Sequence, residues 1–437
     1  MRVLLIAEAC NPAWTSVPLV GFNMARAIAS HPAVEATIAT SIRNRPDIEA
    51  SELPQLAAIH YVDSERVSGP MFRLGKRLRG GATLGWTTAM AFNWPSYVSF
   101  ERTLERSLRN ELKAGRFDLV HRLTPLSPAL PSPIASRLPV PFSLGPINGG
   151  LPWPKEYPEL RRREREWLSP LRSVVRYLPY YRSTYRHAAG VLTASRSAMS
   201  GLPHDFAGLH CHLPENGIDP DRFDRGCLNR AGDAPRPDDR FTFVSVGRLV
   251  PLKAFDIVVE ALARIGGDSR LVVIGDGPER KTLLSLAARC DITERVEFRG
   301  WLSQPEVAEQ LRQSQAFVLP SLREFGGGAV LEAMASGLPS IVTDYGGPAE
   351  LVGDDCGLCV PMAPRAELIA SVAAAMRTLR DDPAAAALMG RTAAETVARE
   401  HTWTAKADRV VGFWDAILQH VGSVPAMRPA LTERLPA

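Results

Sequence analysis

The chain has 437 residues, 45% of them hydrophobic and 22% charged, which excludes a disordered or fibrous protein and exceeds what one ordinary core accommodates. Its net charge of +4 is unevenly divided: residues 1–216 hold 26 Lys/Arg against 17 Asp/Glu, and the remainder holds 25 against 30. A basic first half fits an anionic partner such as a membrane surface or a phosphorylated acceptor, and it fits chance variation of surface charge equally well.

Read in chain order, residues 1–7 begin like a secretory leader, but Glu8 ends the apolar run, so residues 3–7 are read as a short buried strand. A helix is predicted over 20–30, with Met24, Ala27 and Ile28 on one face. Residues 80–100 carry no charge, yet their glycines, threonines, Asn93 and Pro95 leave them too polar for a bilayer core. A semi-buried helix or a loop at the cleft is expected there. Strands follow at 118–121, 142–144 and 191–195.

The stretch 219–240, rich in Pro, Gly, Asp and Arg, reads as a hinge. Beyond it, apolar runs at 241–246, 271–274, 316–319 and 340–343 alternate with helix patterns at 255–265, 279–289 and 329–335. Two consecutive α/β halves imply a cleft lined by the carboxyl ends of strands. Domains are expected over 1–216 and 217–404, with a helix at 405–421 returning to the first and a loose tail at 422–437. Six cysteines make no disulfide framework in a chain this long. Cys356 and Cys359 have a C-x-x-C spacing, but no second pair or suitably spaced histidines accompany them, so a turn entering a strand is preferred and a reducing, cytoplasmic location expected.

Four loops of the second half carry the chemistry. Gly247-Arg248 and Lys253 put two cations directly after a strand, where a planar fork and a point charge suit a diphosphate. Gly275-Asp276-Gly277-Pro278-Glu279 opens a helix; it is neither a dinucleotide fingerprint nor a P-loop, and a plain turn explains it as well as a ligand does. Glu324 is followed by Gly326, Gly327 and Gly328, then by a helix whose free N–H groups suit sugar hydroxyls or phosphate, with Glu332 eight residues after Glu324. Asp344 to Glu350 supplies another glycine turn and acid.

These segments resemble family 4 of the retaining glycosyltransferases, which have the GT-B fold: two Rossmann-like, doubly wound α/β domains facing across a cleft. Glu324 and Glu332 meet the family's E-x(7)-E pattern, Gly247, Arg248 and Lys253 its G-R-x(4)-K element, and Asn216-Gly217-Ile218-Asp219 its interdomain turn. The resemblance implies a hexosyltransferase using a UDP- or GDP-sugar. Arg248 and Lys253 would neutralise the departing diphosphate, Glu324 would contact the donor sugar, and Glu332 would hold the ribose. Gly247, Gly275 and the three glycines 326–328 would complete the donor site, and Ser16 stands where relatives place a glycine after the first strand. Bacterial chains of this kind often build cell-surface glycans, so the resemblance implies a glycan or lipid-linked acceptor in cell-surface glycan biosynthesis.

On the acceptor side, His121 either lines the cleft or simply ends its strand, and Asn148, in a glycine loop, either binds acceptor groups or belongs to a plain turn. The basic and aromatic segment from Arg161 to Arg186 fits peripheral contact with anionic lipid at the inner membrane face, and also a solvated helix with internal Glu–Arg pairs. Nucleic acid is disfavoured, because no recognition fold accompanies the patch. Asp219-Pro220-Asp221 has metal-motif spacing but lies in the hinge turn, so no obligatory metal or other cofactor is expected. The alternatives are an epimerase or phosphorylase of the same architecture, or a non-catalytic nucleotide-sugar binder.

Overall fold

In a computed structural model, residues 1–79, 86–163, 177–220 and 240–423 are described. Two parallel sheets organise them. The first contains β1 (Arg2–Ala7), β2 (Glu35–Ser41), β3 (Ala58–Val62), β4 (Leu119–Thr124), β5 (Phe142–Ile147), β6 (Ala188–Thr193) and β7 (Leu209–His212), in the order β3-β2-β1-β4-β5-β6-β7. The second contains β8 (Phe241–Val246), β9 (Ser269–Ile274), β10 (Val296–Gly300), β11 (Ala316–Leu319), β12 (Ser340–Thr343) and β13 (Gly357–Val360), in the order β10-β9-β8-β11-β12-β13. In both, the chain starts at a central strand, winds outward, then returns to wind the other way. That reversal leaves a crevice beyond the carboxyl ends of the two central strands.

The central strands are continuous apolar runs because helices cover both faces. Val3, Leu4, Leu5, Ile6 and Ala7 are all fully buried, as are Phe243 and Val244 of β8. The helix Val17–Ala29 buries Phe22, Met24, Ala25 and Ile28 against the first sheet. The uncharged stretch read as a helix or loop contributes to the helix Trp86–Ser107, whose Tyr97, Phe100 and Leu104 are buried beneath that sheet. No helix among the described residues is long and apolar enough to cross a membrane.

The strands β2, β3, β7 and β10 were not distinguished in the sequence. β3, β7 and β10 lie at sheet edges or next to them and mix apolar with charged or histidine side chains, which blurs the apolar run. Cys356 precedes β13 and Cys359 lies on it; both thiols are free, with Cys359 directed at the Val352 carbonyl.

Among the described residues, two crossings join the domains. Residues 214–219 lead from the first to the second, and 400–403 lead back, pairing through Ile218 N–H to His401 O (2.8 Å) and Trp403 N–H to Ile218 O (3.2 Å). The helix Trp403–Ser423 then lies on the first sheet with Val410, Trp414 and Ile417 buried. Its approach is close enough that a methyl group on Gly190 of β6 would overlap Ile417 Cδ1 and Phe413 Cζ, so those side chains would have to shift to admit one.

Candidate active site

The loops after β8, β9, β11 and β12 pack on one another through backbone. Gly247 N–H bonds Ile274 O (3.0 Å), Leu249 N–H bonds Asp276 O (3.0 Å), and Leu322 N–H bonds Leu252 O (2.8 Å). Gly275 has φ +130° and presses on the Gly247 carbonyl, so a side chain is excluded on both counts. This shared backbone platform carries the predicted cations. The aliphatic stem of Lys253 runs over Gly247, within 3.8 Å of where a Cβ would stand, and Arg248 is exposed on the same loop.

Lys253 Nζ donates to Glu324 Oε2, joining the G-R-x(4)-K element to the E-x(7)-E element. β8 and β11, which deliver the two loops, are direct neighbours in the sheet. Glu332 lies half-buried in the second turn of the helix Gly328–Ala335. That helix starts from Gly327 at φ +62°, a left-handed conformation that costs an ordinary residue about 1–2 kcal/mol. Arg248, Lys253, Glu324, Gly247 and Gly275 are therefore brought to one place.

Gly326 serves another surface. A methyl group on it would overlap Asn216 Nδ2 and Glu215 Oε1, so its bare backbone receives the hinge turn. Gly328, by contrast, leaves ordinary van der Waals distance to Asn216. Ser16 belongs to the opposite domain, exposed at the start of the helix Val17–Ala29, with φ +64°. It adopts the backbone conformation that a glycine would supply.

His121 requires correction. It does not line the crevice but is fully buried in β4, hydrogen-bonded to Ser143 Oγ (2.8 Å) and Gly145 O (2.8 Å) and tilted against Trp414 at 5.1 Å. Trp414 Nε1–H donates to its Nδ1 (3.3 Å), so Nε2–H is left to donate to the Gly145 carbonyl. Burial holds its pKa down to about 3, and the ring is neutral at ordinary pH.

Asn148 lies at the junction of the domains. Its Nδ2 donates to Glu215 Oε1 (2.7 Å) and to Phe325 O (3.2 Å), while Oδ1 accepts from Gly149 N–H and Ser195 Oγ–H. Glu215 is buried, and desolvation raises its pKa against the opposing hydrogen bond from Asn148 and the charge of Lys406. Lys406, fully buried, donates to Pro214 O (2.6 Å). Asp219, of the spacing read as a hinge turn, has Oδ2 3.6 Å from Arg26 Nη2; Asp221 and residues 164–176 of the segment from Arg161 to Arg186 fall outside the described residues.

Sequence reasoning passed over Glu215, Lys406 and Arg323. Glu215 adjoins Asn216-Gly217 and Arg323 adjoins Glu324, so proximity to a motif was the available signal. Lys406 had none.

Residues 231–395 match the family described as "Glycosyl transferases group 1". Alpha-D-kanosaminyltransferase of Streptomyces kanamyceticus is 31% identical over 184 residues, 41% of this chain and 47% of that protein. The lipopolysaccharide core biosynthesis glycosyltransferase LpsD of Rhizobium meliloti (strain 1021) is 30% identical over 194 residues, 42% and 52% of the two chains. The chain thus spans about half the length of the curated relatives it matches. Sucrose-phosphate synthase from Thermosynechococcus elongatus superimposes with a TM-score of 0.67 over 96% of this chain and 99% of that one, at 18% identity. Anabaena HepE, solved in complex with UDP, superimposes with a TM-score of 0.61 over 95% and 100%, at 13% identity. The fold is GT-B.

Proposed function

We propose, from the match of residues 231–395 to the group 1 glycosyl transferases, that this protein transfers a hexosyl group from a UDP- or GDP-sugar to a glycan or lipid-linked acceptor, with retention of anomeric configuration. The observation that carries the reading is the ion pair of Lys253 with Glu324, beside the exposed Arg248, at the carboxyl ends of neighbouring strands. On this reading the cations face the departing diphosphate and the carboxylate orients sugar hydroxyls.

In this mechanism the bond from the anomeric carbon to the diphosphate oxygen breaks while the acceptor oxygen bonds to the same face. The acceptor proton passes to the departing phosphate oxygen. Arg248 and Lys253 stabilise the charge that grows on the diphosphate, which is where fixed cations lower a barrier most. Glu332 receives the ribose hydroxyls. The reading includes no obligatory metal, with Arg248 and Lys253 supplying the neutralising charge once the donor draws Lys253 from Glu324.

Relatives named for lipopolysaccharide core biosynthesis favour cell-surface glycan assembly, and a structural relative holding UDP agrees with a nucleotide-sugar donor. The reading includes peripheral contact with anionic lipid through the segment from Arg161 to Arg186, on the cytoplasmic face. The test pairs thermal shift with UDP and GDP against NMR of slow donor hydrolysis. One nucleotide raising Tm, with the α-anomer of the sugar appearing first from an α-linked donor, is expected. Absence of any nucleotide-induced shift, or first appearance of the inverted anomer, would overturn the proposal.

A further inference from the structure

Glu324 is flanked on both sides by residues anchored in the other domain. Before it, Arg323 is buried, 9% exposed, although it belongs to the loop that carries the site. Its Nη2 donates to Leu151 O (2.9 Å), and its Nε to Leu151 O (3.2 Å) and Pro152 O (3.3 Å). Its guanidinium carbon stands 4.7 Å from the Trp153 ring and 4.8 Å from the Phe325 ring. After it, the Phe325 carbonyl accepts from Asn148 Nδ2. Tyr345 Oη–H adds a bond to Pro152 O (2.9 Å) from the loop after β12.

The segment 148–153 leaves the carboxyl end of β5, in the first domain. A guanidinium is suited to hold it, because its planar fork reaches two successive carbonyls while its faces stack on aromatic rings. A lysine offers neither. With Glu324 between two such anchors, docking of the first domain and placement of the carboxylate occur together.

We propose that Arg323 is a positioning residue that couples closure of the two domains to the placement of Glu324, through the carbonyls of Leu151 and Pro152. The inference rests on the transferase reading for its kinetic consequence and on geometry for its conformational one. It differs from a merely stabilising contact in separating turnover from donor affinity. Arg248 and Lys253, which would hold the diphosphate, lie on another loop, and replacement of Arg323 reaches Lys253 only through its pairing with Glu324.

The experiment compares full-length wild type, Arg323→Ala and Arg323→Lys in three measurements: Kd for UDP and GDP, kcat for hydrolysis of the matching nucleotide sugar, and small-angle X-ray scattering. Both variants should lower kcat about 30-fold, the scale on which misplacement of a reacting group is felt. Kd should not weaken, since the loss lies in the transition state and a displaced Glu324 leaves Lys253 free for the diphosphate. The radius of gyration should increase, and lysine should give no rescue. Unchanged kcat and scattering, or equal losses in kcat and nucleotide affinity, would overturn the proposal. Should neither variant fold, Tyr345→Phe decides: lower kcat at constant Kd supports the coupling, and constant kcat refutes it. If wild type binds no nucleotide and hydrolyses no donor, the transferase reading fails by itself. Scattering then judges the clasp, and a profile of Arg323→Ala identical to wild type defeats it.

Discussion

Lys253 and Glu324, 71 residues apart in the chain, form an ion pair between the loops that follow two neighbouring strands. Each side chain is about one-fifth exposed, so the pair is neither fully screened nor fully desolvated. It places the cation proposed for a diphosphate in contact with the acid proposed for a sugar, and on that reading binding a donor redirects the lysine.

Glu324→Gln should therefore tighten binding of the free nucleoside diphosphate while abolishing most turnover. Releasing Lys253 from a partly exposed pair is worth about 1 kcal/mol, roughly a fivefold fall in Kd. Calorimetric titration of both proteins with UDP and GDP measures it; weaker binding by the variant would show that the pair does not compete with the ligand.

Arg248→Ala and Lys253→Ala should each cost about 3 kcal/mol of barrier, two orders of magnitude or more in kcat. Arg248 is exposed, so its loss should leave Tm nearly unchanged. Steady-state hydrolysis of the nucleotide sugar, beside a thermal melt, separates the two effects. Wild-type turnover in either variant would remove the residue from the mechanism.

His121→Ala should behave in the opposite way. Loss of a buried ring that bonds Ser143, Gly145 and Trp414 costs about 2–3 kcal/mol of stability. Activity per folded molecule should be close to wild type, with no shift in its pH profile. A large fall in kcat at full folding would return the histidine to the site.

Gly347→Ala tests the backbone platform. Gly347 N–H bonds the Glu324 carbonyl (3.0 Å), and a methyl group there would overlap the Phe325 carbonyl. Overpacking of this kind costs about 2 kcal/mol and should displace Glu324, lowering both urea midpoint and kcat. Equality with wild type in both would show that the loop yields freely.

Lys406 makes a prediction about pH. Burial lowers its pKa from 10.5 to about 7 in the folded protein. Between about pH 7 and 10.5 the unfolded chain thus binds more protons than the native one, so this group makes stability rise with pH across that window. Below about pH 7 its destabilising charge is fully present. Urea unfolding of wild type and Lys406→Met from pH 6.5 to 10 should show the extra upward slope in wild type alone; parallel curves would contradict it.

The strands on which the site stands were legible because parallel, doubly covered strands are written as short apolar runs. The loops after β8, β9, β11 and β12 were legible because glycine, Arg, Lys and Glu interrupt those runs at strand ends. Edge strands such as β3 and β10 were not, since a half-exposed strand mixes residue types. His121 shows the limit of position along the chain: one residue follows another to alternate faces of β4, and only the helix Trp403–Ser423 lying on that face fixes the ring in the interior.

By itself the sequence determined two α/β units and the residues that gather at the carboxyl end of the second sheet, because each strand and each loop is specified by its own neighbours. Only the tertiary structure decided that Lys253 is paired with Glu324, that Gly326 receives the hinge, and that Arg323 and Asn148 hold the domains to one another. Those contacts join residues that are distant in the chain. They arise from the docking of whole sheets and helices, which no local periodicity encodes.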